Sequence, residues 1–97
     1  MRLKDKVAII TGSAAGIGEA AAEIFVREGA RVLLADRNGA GAEEVAGRLG
    51  ERAAAIEVDV SRNDDVKRMI DTAVARFGRL DILANNAGYG IPGTVVN

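Results

Sequence analysis

The 97 residues include no cysteine, no histidine and no tryptophan. Without cysteine there are no disulfides, no thiolate nucleophile and no thiolate metal site. Without histidine the commonest general base and the commonest metal ligand are both missing. An excess of either charge is lacking as well. Thirteen Lys and Arg against fourteen Asp and Glu leave a net charge of -1, which gives no electrostatic reason to expect nucleic acid or an anionic membrane as partner. Long apolar runs are also missing. Val7-Ala8-Ile9-Ile10 stops at Thr11-Gly12 and follows a basic stretch that contains Asp5, too short a run for the core of a signal peptide. No stretch approaches the roughly 18 apolar residues of a membrane span. A soluble chain is expected, and the lack of cysteine is consistent with a cytoplasmic one.

What is present is ordinary for one small globular domain, with 48% hydrophobic and 28% charged residues. Short apolar runs alternate with helical patterns. Val7 to Ile10, rich in β-branched residues, suits a strand buried on both faces. From about Ile17 to Arg27, the spacing of Ile17, Ala20, Ala21, Ile24 and Phe25 predicts a helix burying that face, stopped by Gly29. Val32 to Ala35 is a second buried strand ending at Asp36. Asn38-Gly39 marks a turn, and Ala42, Val45, Ala46 and Leu49 then repeat at helical spacing up to Gly50. Ala54 to Val60 reads as a third strand. Ser61 is expected to cap a third helix, with Asp64 completing something close to a capping box. Val66, Met69, Ile70, Ala73, Val74 and Phe77 form its apolar stripe, and Gly78 closes it. Leu80 to Ala84 is the fourth strand, followed by a loop through Gly88-Tyr89-Gly90-Ile91-Pro92-Gly93.

Helical crossovers between successive strands imply a parallel sheet. Strand order 3-2-1-4 puts the first two helices on one face and the third on the other, with the switch point between strands 1 and 4. The expected fold is therefore an α/β, Rossmann-type, doubly wound parallel sheet truncated after its fourth strand. Residues 1–97 would be the N-terminal part of a single dinucleotide-binding domain.

Three features carry chemistry. Gly12, Gly16 and Gly18 lie between the first strand and first helix, within Thr11-Gly12-Ser13-Ala14-Ala15-Gly16-Ile17-Gly18. Glycines there permit a tight turn, close approach of a pyrophosphate and close packing of helix on strand. The helix start then offers free N–H groups and a partial charge of roughly +0.5 to phosphates. Glycine spacing alone is a weak signal, and a plain strand-to-helix turn is the alternative. Context strengthens it. Asp36 ends the second strand eighteen positions after Gly18, where a carboxylate accepts the adenosine ribose hydroxyls. Such charge-assisted bonds contribute about 1.5–3 kcal/mol. A 2′-phosphate would be repelled by about 4 kcal/mol at 4 Å in a surface-like dielectric. With no basic residue in Ser13-Ala14-Ala15, NAD is favoured over NADP, and Arg37 is the one residue arguing the other way. The alternative for Asp36 is a solvated strand-end acid. Asp59-Val60 and Asn85-Asn86-Ala87-Gly88 end the third and fourth strands, so every strand tip on the carboxyl edge is small or polar.

This set, in this order, resembles the N-terminal half of the short-chain dehydrogenase/reductase family across essentially the whole chain. The Asn-Asn-Ala-Gly motif is the most specific part. The resemblance implies that Ser13 to Gly18, including Ile17, contact the pyrophosphate and that Asp36 binds the adenine ribose. It implies that Asp59 and Val60 bracket the adenine, with the Asp59 carboxylate near its amino group. Asn86, Ala87 and Gly88 would lie along the ribose and nicotinamide, and Asn85 would brace the sheet. Sheet support is the alternative role for the asparagine pair, and both roles are compatible.

The family's catalytic Ser, Tyr-x-x-x-Lys and additional Asn are expected beyond position 97, so no residue of this chain is assigned to catalysis. Tyr89 has Gly93, not Lys, four residues on. Asp64-Asp65 is read as a pair of first-turn acids facing the helix dipole and not as a metal site. Lys67, Arg68 and Arg76 are read as a solvated face. The first functional expectation is an NAD-binding half of an oxidoreductase that moves hydride between an alcohol or ketone and nicotinamide. A second is an interaction module: the fourth strand's open edge would receive the rest of the enzyme or another copy, the complete enzyme being a homo-oligomer. A third is a nucleotide sensor without catalysis.

Overall fold

The computed structural model describes residues 2–86. The expectations for Ala87, Gly88 and Tyr89 lie outside the described residues. The elements run β1 (Val7–Thr11), α1 (Gly16–Arg27), β2 (Arg31–Asp36), α2 (Gly39–Leu49), β3 (Ala53–Glu57), α3 (Asn63–Phe77) and β4 (Ile82–Ala84). The four strands form one sheet in the expected order β3-β2-β1-β4, and their parallel pairing is what the alternation of apolar runs and helical patterns implies. Val7 to Thr11 of β1 stand opposite Arg31 to Ala35 of β2 on one side. On the other, Ala8 to Ile10 stand opposite Ile82 to Ala84.

Successive side chains of a strand point to opposite faces, and both faces are covered. Ala8, Ile10, Val32, Leu34 and Ile82 face α1 and α2, where they meet Ala22, Ala42, Val45 and Ala46. Ile9, Leu33, Ala35 and Leu83 face α3, where they meet Met69 and Ala73. This explains why β1 and β2 are continuously apolar instead of alternating. No helix among the described residues is long and apolar enough to cross a membrane.

The structure corrects the expected face of α1. Ile17 is 79% exposed and Ile24 49% exposed, and Ala20 is exposed too. Gly18 and Ala22 are the buried residues, with Ala21, Phe25 and Val26 partly buried beside them. The apolar arc of this helix is wider than the face a sheet can cover. Close approach at Gly18, where a Cβ would meet Gly12 O, selects which part is covered, and Ala22 lies one turn further along the same face. On α3 the stripe is as expected at Met69 and Ala73, whereas Val74 is 45% exposed.

Two strand ends and one cap also differ. β3 stops at Glu57, because the last sheet bond is the Val58 amide to Asp36 O (3.0 Å) and the chain then turns. β4 starts at Ile82, since Asp81 meets β1 partly through its side chain: Oδ2 accepts from the Val7 amide at 2.9 Å. The expected capping box at Ser61 and Asp64 does not form. α3 begins at Asn63 with Arg62 as an N-cap that makes no side-chain cap bond. Ser61 instead donates through both N and Oγ to Asp59 Oδ1 (3.0 and 2.6 Å). α2 is the helix with a side-chain cap: Asn38 Oδ1 accepts from the Gly41 amide at 3.0 Å.

Two stability predictions follow from this packing. Met69 is fully buried while Ile24 is half exposed. Met69→Ala is expected to cost about 2–5 kcal/mol and Ile24→Ala within about 0.5 kcal/mol in urea unfolding. Equal costs would refute the assigned helix faces. The second concerns Asp81, whose pKa is held below the ordinary carboxylate value by its bonds to Arg79 first and to the Val7 amide second. A lowered folded-state pKa gives stability that is present above the unfolded-state value and lost as pH falls through the folded one. The stability gap between wild type and Asp81→Asn should therefore narrow below the ordinary carboxylate range. A gap independent of pH would contradict it.

Candidate functional site at the carboxyl edge of the sheet

The turn from β1 into α1 depends on two different properties of glycine. Gly16 has φ 63°, a left-handed backbone that side chains disfavour, yet a Cβ there would meet nothing within 4 Å. Gly18 needs space. A Cβ on it would lie 2.0 Å from Gly12 O and 2.9 Å from Asn86 Nδ2. The first turn of α1 thus rests directly on the backbone of Gly12, itself at φ 64°. Ala15, the N-cap, has an extended backbone and no side-chain cap bond. The first N–H groups of α1 are therefore not taken by a capping side chain. Ala15, Gly16 and Ile17 around them are exposed.

Thr11 fastens this turn to the end of β4. Its Oγ1 accepts from the Asn86 amide at 2.8 Å and donates to Asn85 Oδ1 at 3.1 Å. Asn86 Nδ2 in turn donates to Gly12 O at 3.4 Å. Asn85 and Asn86 thus brace the glycine-rich turn from the β4 side, in line with the sheet-support role among those expected for the pair.

On the β2 side the brace is Asp36. Oδ2 accepts from the Ala14 amide and Oδ1 from the Asn38 amide, both at 2.8 Å. Asp36 is half-buried and is not the freely solvated strand-end acid of the alternative reading. Ser13 is fully buried, and its hydroxyl donates to Ala35 O at 3.4 Å, so that side chain is directed to the sheet. Its expected contribution to phosphate contact is thereby reduced to the backbone.

Beyond β3, an open cleft of about 390 Å³ is lined by Arg37, Glu57, Val58, Asp59, Arg62, Asp65 and Arg68. The pKa of Asp59 is held below the usual carboxylate range, first by the hydrogen bonds from Ser61 and then by the charges of Arg37 and Arg62. Asp59 therefore stays ionised at neutral pH. Val60 is buried, its side chain packed into the core beneath α3. Neither Asn38 nor Asp65 figured among the site residues expected from the sequence. Asn directly before a helical pattern is a recognisable cap signal. Asp65 had no signal beyond that of a first-turn acid.

Direct contacts thus join the sequence-predicted positions along one edge. Asn86 touches Gly12, Gly12 supports Gly18, Ala14 binds Asp36, and the Asp36 carbonyl accepts from Val58 next to Asp59. In an open parallel sheet the crevice beyond the strands' carboxyl ends is where ligands bind. Among the described residues the arrangement offers helix-start amides that no capping side chain takes, a half-buried carboxylate and a charged cleft, in that order along the edge.

Known proteins share this framework. Tropinone reductase-like 1 from Erythroxylum coca is 50% identical over 99 residues, covering 98% of this chain and 36% of the relative. Sorbitol dehydrogenase from Cereibacter sphaeroides is 49% identical over 87 residues, 90% of this chain and 34% of the relative. The chain thus spans about a third of the length of these relatives. The crystal structure of 3-ketoacyl-(acyl-carrier-protein) reductase from Brucella melitensis, complexed with NADH, superposes with a TM-score of 0.82 at 46% identity. It covers 84% of this chain and 33% of that one. The family model for short chain dehydrogenases matches residues 6–97. With the glycine turn, the acid at the end of β2 and the 3-2-1-4 sheet already in hand, that match makes the assignment firm: the chain belongs to the short-chain dehydrogenase family.

Proposed function

We propose that residues 1–97 are the cofactor-binding N-terminal part of one dinucleotide-binding domain, in an oxidoreductase that uses NAD in preference to NADP. One observation carries the reading: the uncapped start of α1 and the Asp36 carboxylate are joined by the Ala14–Asp36 hydrogen bond. A diphosphate laid on the helix start therefore has its neighbouring ribose beside an acid. Asp36 keeps capacity for that task. Each carboxylate oxygen can accept two hydrogen bonds, and each has one backbone donor, so one acceptor site per oxygen is left for the ribose hydroxyls.

In this assignment Gly12, Gly16 and Gly18 give the backbone its approach to the pyrophosphate, helped by the Ser13 backbone and by exposed Ile17. Asp59, with Arg37 across the cleft and the Val60 backbone, receives the adenine. Asn86 lies toward the nicotinamide side. The bound dinucleotide would supply a hydride acceptor or donor at its nicotinamide ring, for an alcohol or ketone. This chain's residues bind and orient it, and the acid/base residues belong to a further part of the protein. That the complementary part, or a second copy, covers the β4 side is supported by the place of β4 at the edge of the sheet, where among the described residues it pairs with β1 alone. In analytical ultracentrifugation the full-length protein is expected to sediment as a homo-oligomer. A purely monomeric species would refute that part.

Calorimetric titration of the protein with NAD and NADP tests the cofactor assignment. NAD is expected to bind more tightly. Asp36→Ala should weaken NAD about tenfold or more and abolish its preference over NADP. Asp36→Asn keeps an acceptor for Ala14 or Asn38 but drops the charge, so it should lose the preference while retaining more affinity. If all three proteins show one NAD-to-NADP ratio, Asp36 does not select the cofactor.

A further inference from the structure

We propose that Asp65 is a positioning residue for the adenine end of the dinucleotide: its carboxylate fixes the Asp59 backbone and so aims the Asp59 side chain along the Arg37–Arg62 cleft. The proposal rests on the dinucleotide reading and extends it to a residue of α3.

Asp59 lies just past the end of sheet pairing, since Val58 makes the last bond to β2. The Asp59 amide has no strand partner, and a half-buried N–H needs an acceptor. Asp65 supplies it from the first turn of α3, with Oδ2 accepting from the Asp59 amide at 2.8 Å. A first-turn acid reaching back to the preceding backbone is a known device, but it normally serves the N-cap itself. Here the acceptor passes over the N-cap, Arg62, and serves the residue three places before it.

Both carboxylates make further contacts. Asp65 Oδ1 lies 3.6 Å from Arg68 Nη2, and that same nitrogen donates to Glu57 O at 2.6 Å. Arg68 thereby ties the acid to the end of β3. Asp59 Oδ1 is occupied by Ser61 N and Oγ. Among the described residues Asp59 Oδ2 accepts no hydrogen bond, so one oxygen of a fixed carboxylate is left for a ligand N–H in the cleft. Amide and carboxylate of Asp59 are thus held by separate partners, which is more than turn formation requires. An acid placed at position 65 only to face the helix dipole would not need that link to Asp59.

The test compares the full-length wild-type protein with Asp65→Ala and Asp65→Asn. Three quantities are read: hydrogen exchange of the Asp59 amide by NMR, dissociation constants for AMP and NADH, and the melting temperature. In Asp65→Ala the Asp59 amide should exchange faster, and AMP and NADH should both weaken by the same factor, about tenfold, the size of one charge-assisted hydrogen bond. Asp65→Asn, which keeps an acceptor oxygen, should recover most of the affinity. Faster exchange with unchanged AMP affinity would overturn the proposal and leave Asp65 a purely structural role. Equal losses in both variants, tracking a collapsed melting transition, would overturn it too. If the wild type binds neither AMP nor NADH at millimolar concentration, the dinucleotide reading itself fails and takes this role with it.

Discussion

The first turn of α1 sits on the backbone of Gly12, at a separation that only a missing Cβ at Gly18 allows. That contact fixes the height and rotation of α1 over the sheet, and much else follows from it. Ala22, one turn further on, is brought to full burial against β1 and β2, while Ile17 and Ile24 are turned outward. The helix start is left at the lip of the sheet with its amides unused by side chains. A helix rotated to bury its isoleucines would have to sit further out to accommodate them, which would lift those amides away from the strand tips.

The edge is then stiffened by polar groups that serve two purposes at once. Thr11 reaches to Asn85 and Asn86, and Asp36 reaches to Ala14 and Asn38. Parallel strands end without hairpins, so each tip carries backbone groups that the ladder cannot satisfy. These side chains supply partners for them. In doing so they place carboxylates and amides side by side at the tips of four strands, which is the raw material of a ligand site. The same logic extends to β3, where the carboxylates of Asp65 and Asp59 accept from the Asp59 and Ser61 amides once sheet pairing has ended.

Much of this was legible in the sequence, and the exceptions have identifiable causes. The apolar runs Val7 to Ile10 and Val32 to Ala35 are dictated by burial on both faces, so they were visible as runs. Helix ends at Gly50 and Gly78 were visible because left-handed or otherwise unusual backbone is cheapest for glycine. The covered face of α1 was not, because hydrophobicity ranks Ile17 and Ile24 above Gly18 and Ala22, whereas close packing ranks them below. The end of β3 is not legible in the sequence, because buried apolar residues continue to Val60, past the point where the neighbouring strand ends. Ser61 looked like a cap because it precedes a helical pattern, yet its hydroxyl is taken by Asp59 two residues back.

Sequence alone determined the order of elements, the parallel sheet and the residue types at each strand tip, because those depend on local periodicity and on the chirality of crossovers. Tertiary structure alone decided which side chains share which hydrogen bond. The pairs Thr11 with Asn86, Ala14 with Asp36 and Val7 with Asp81 are separated by 75, 22 and 74 positions. Nothing in the local pattern encodes such a pairing. It arises when parallel strands in the order 3-2-1-4 bring distant tips within hydrogen-bonding reach, and the cost of a buried, unpaired polar group selects the partner.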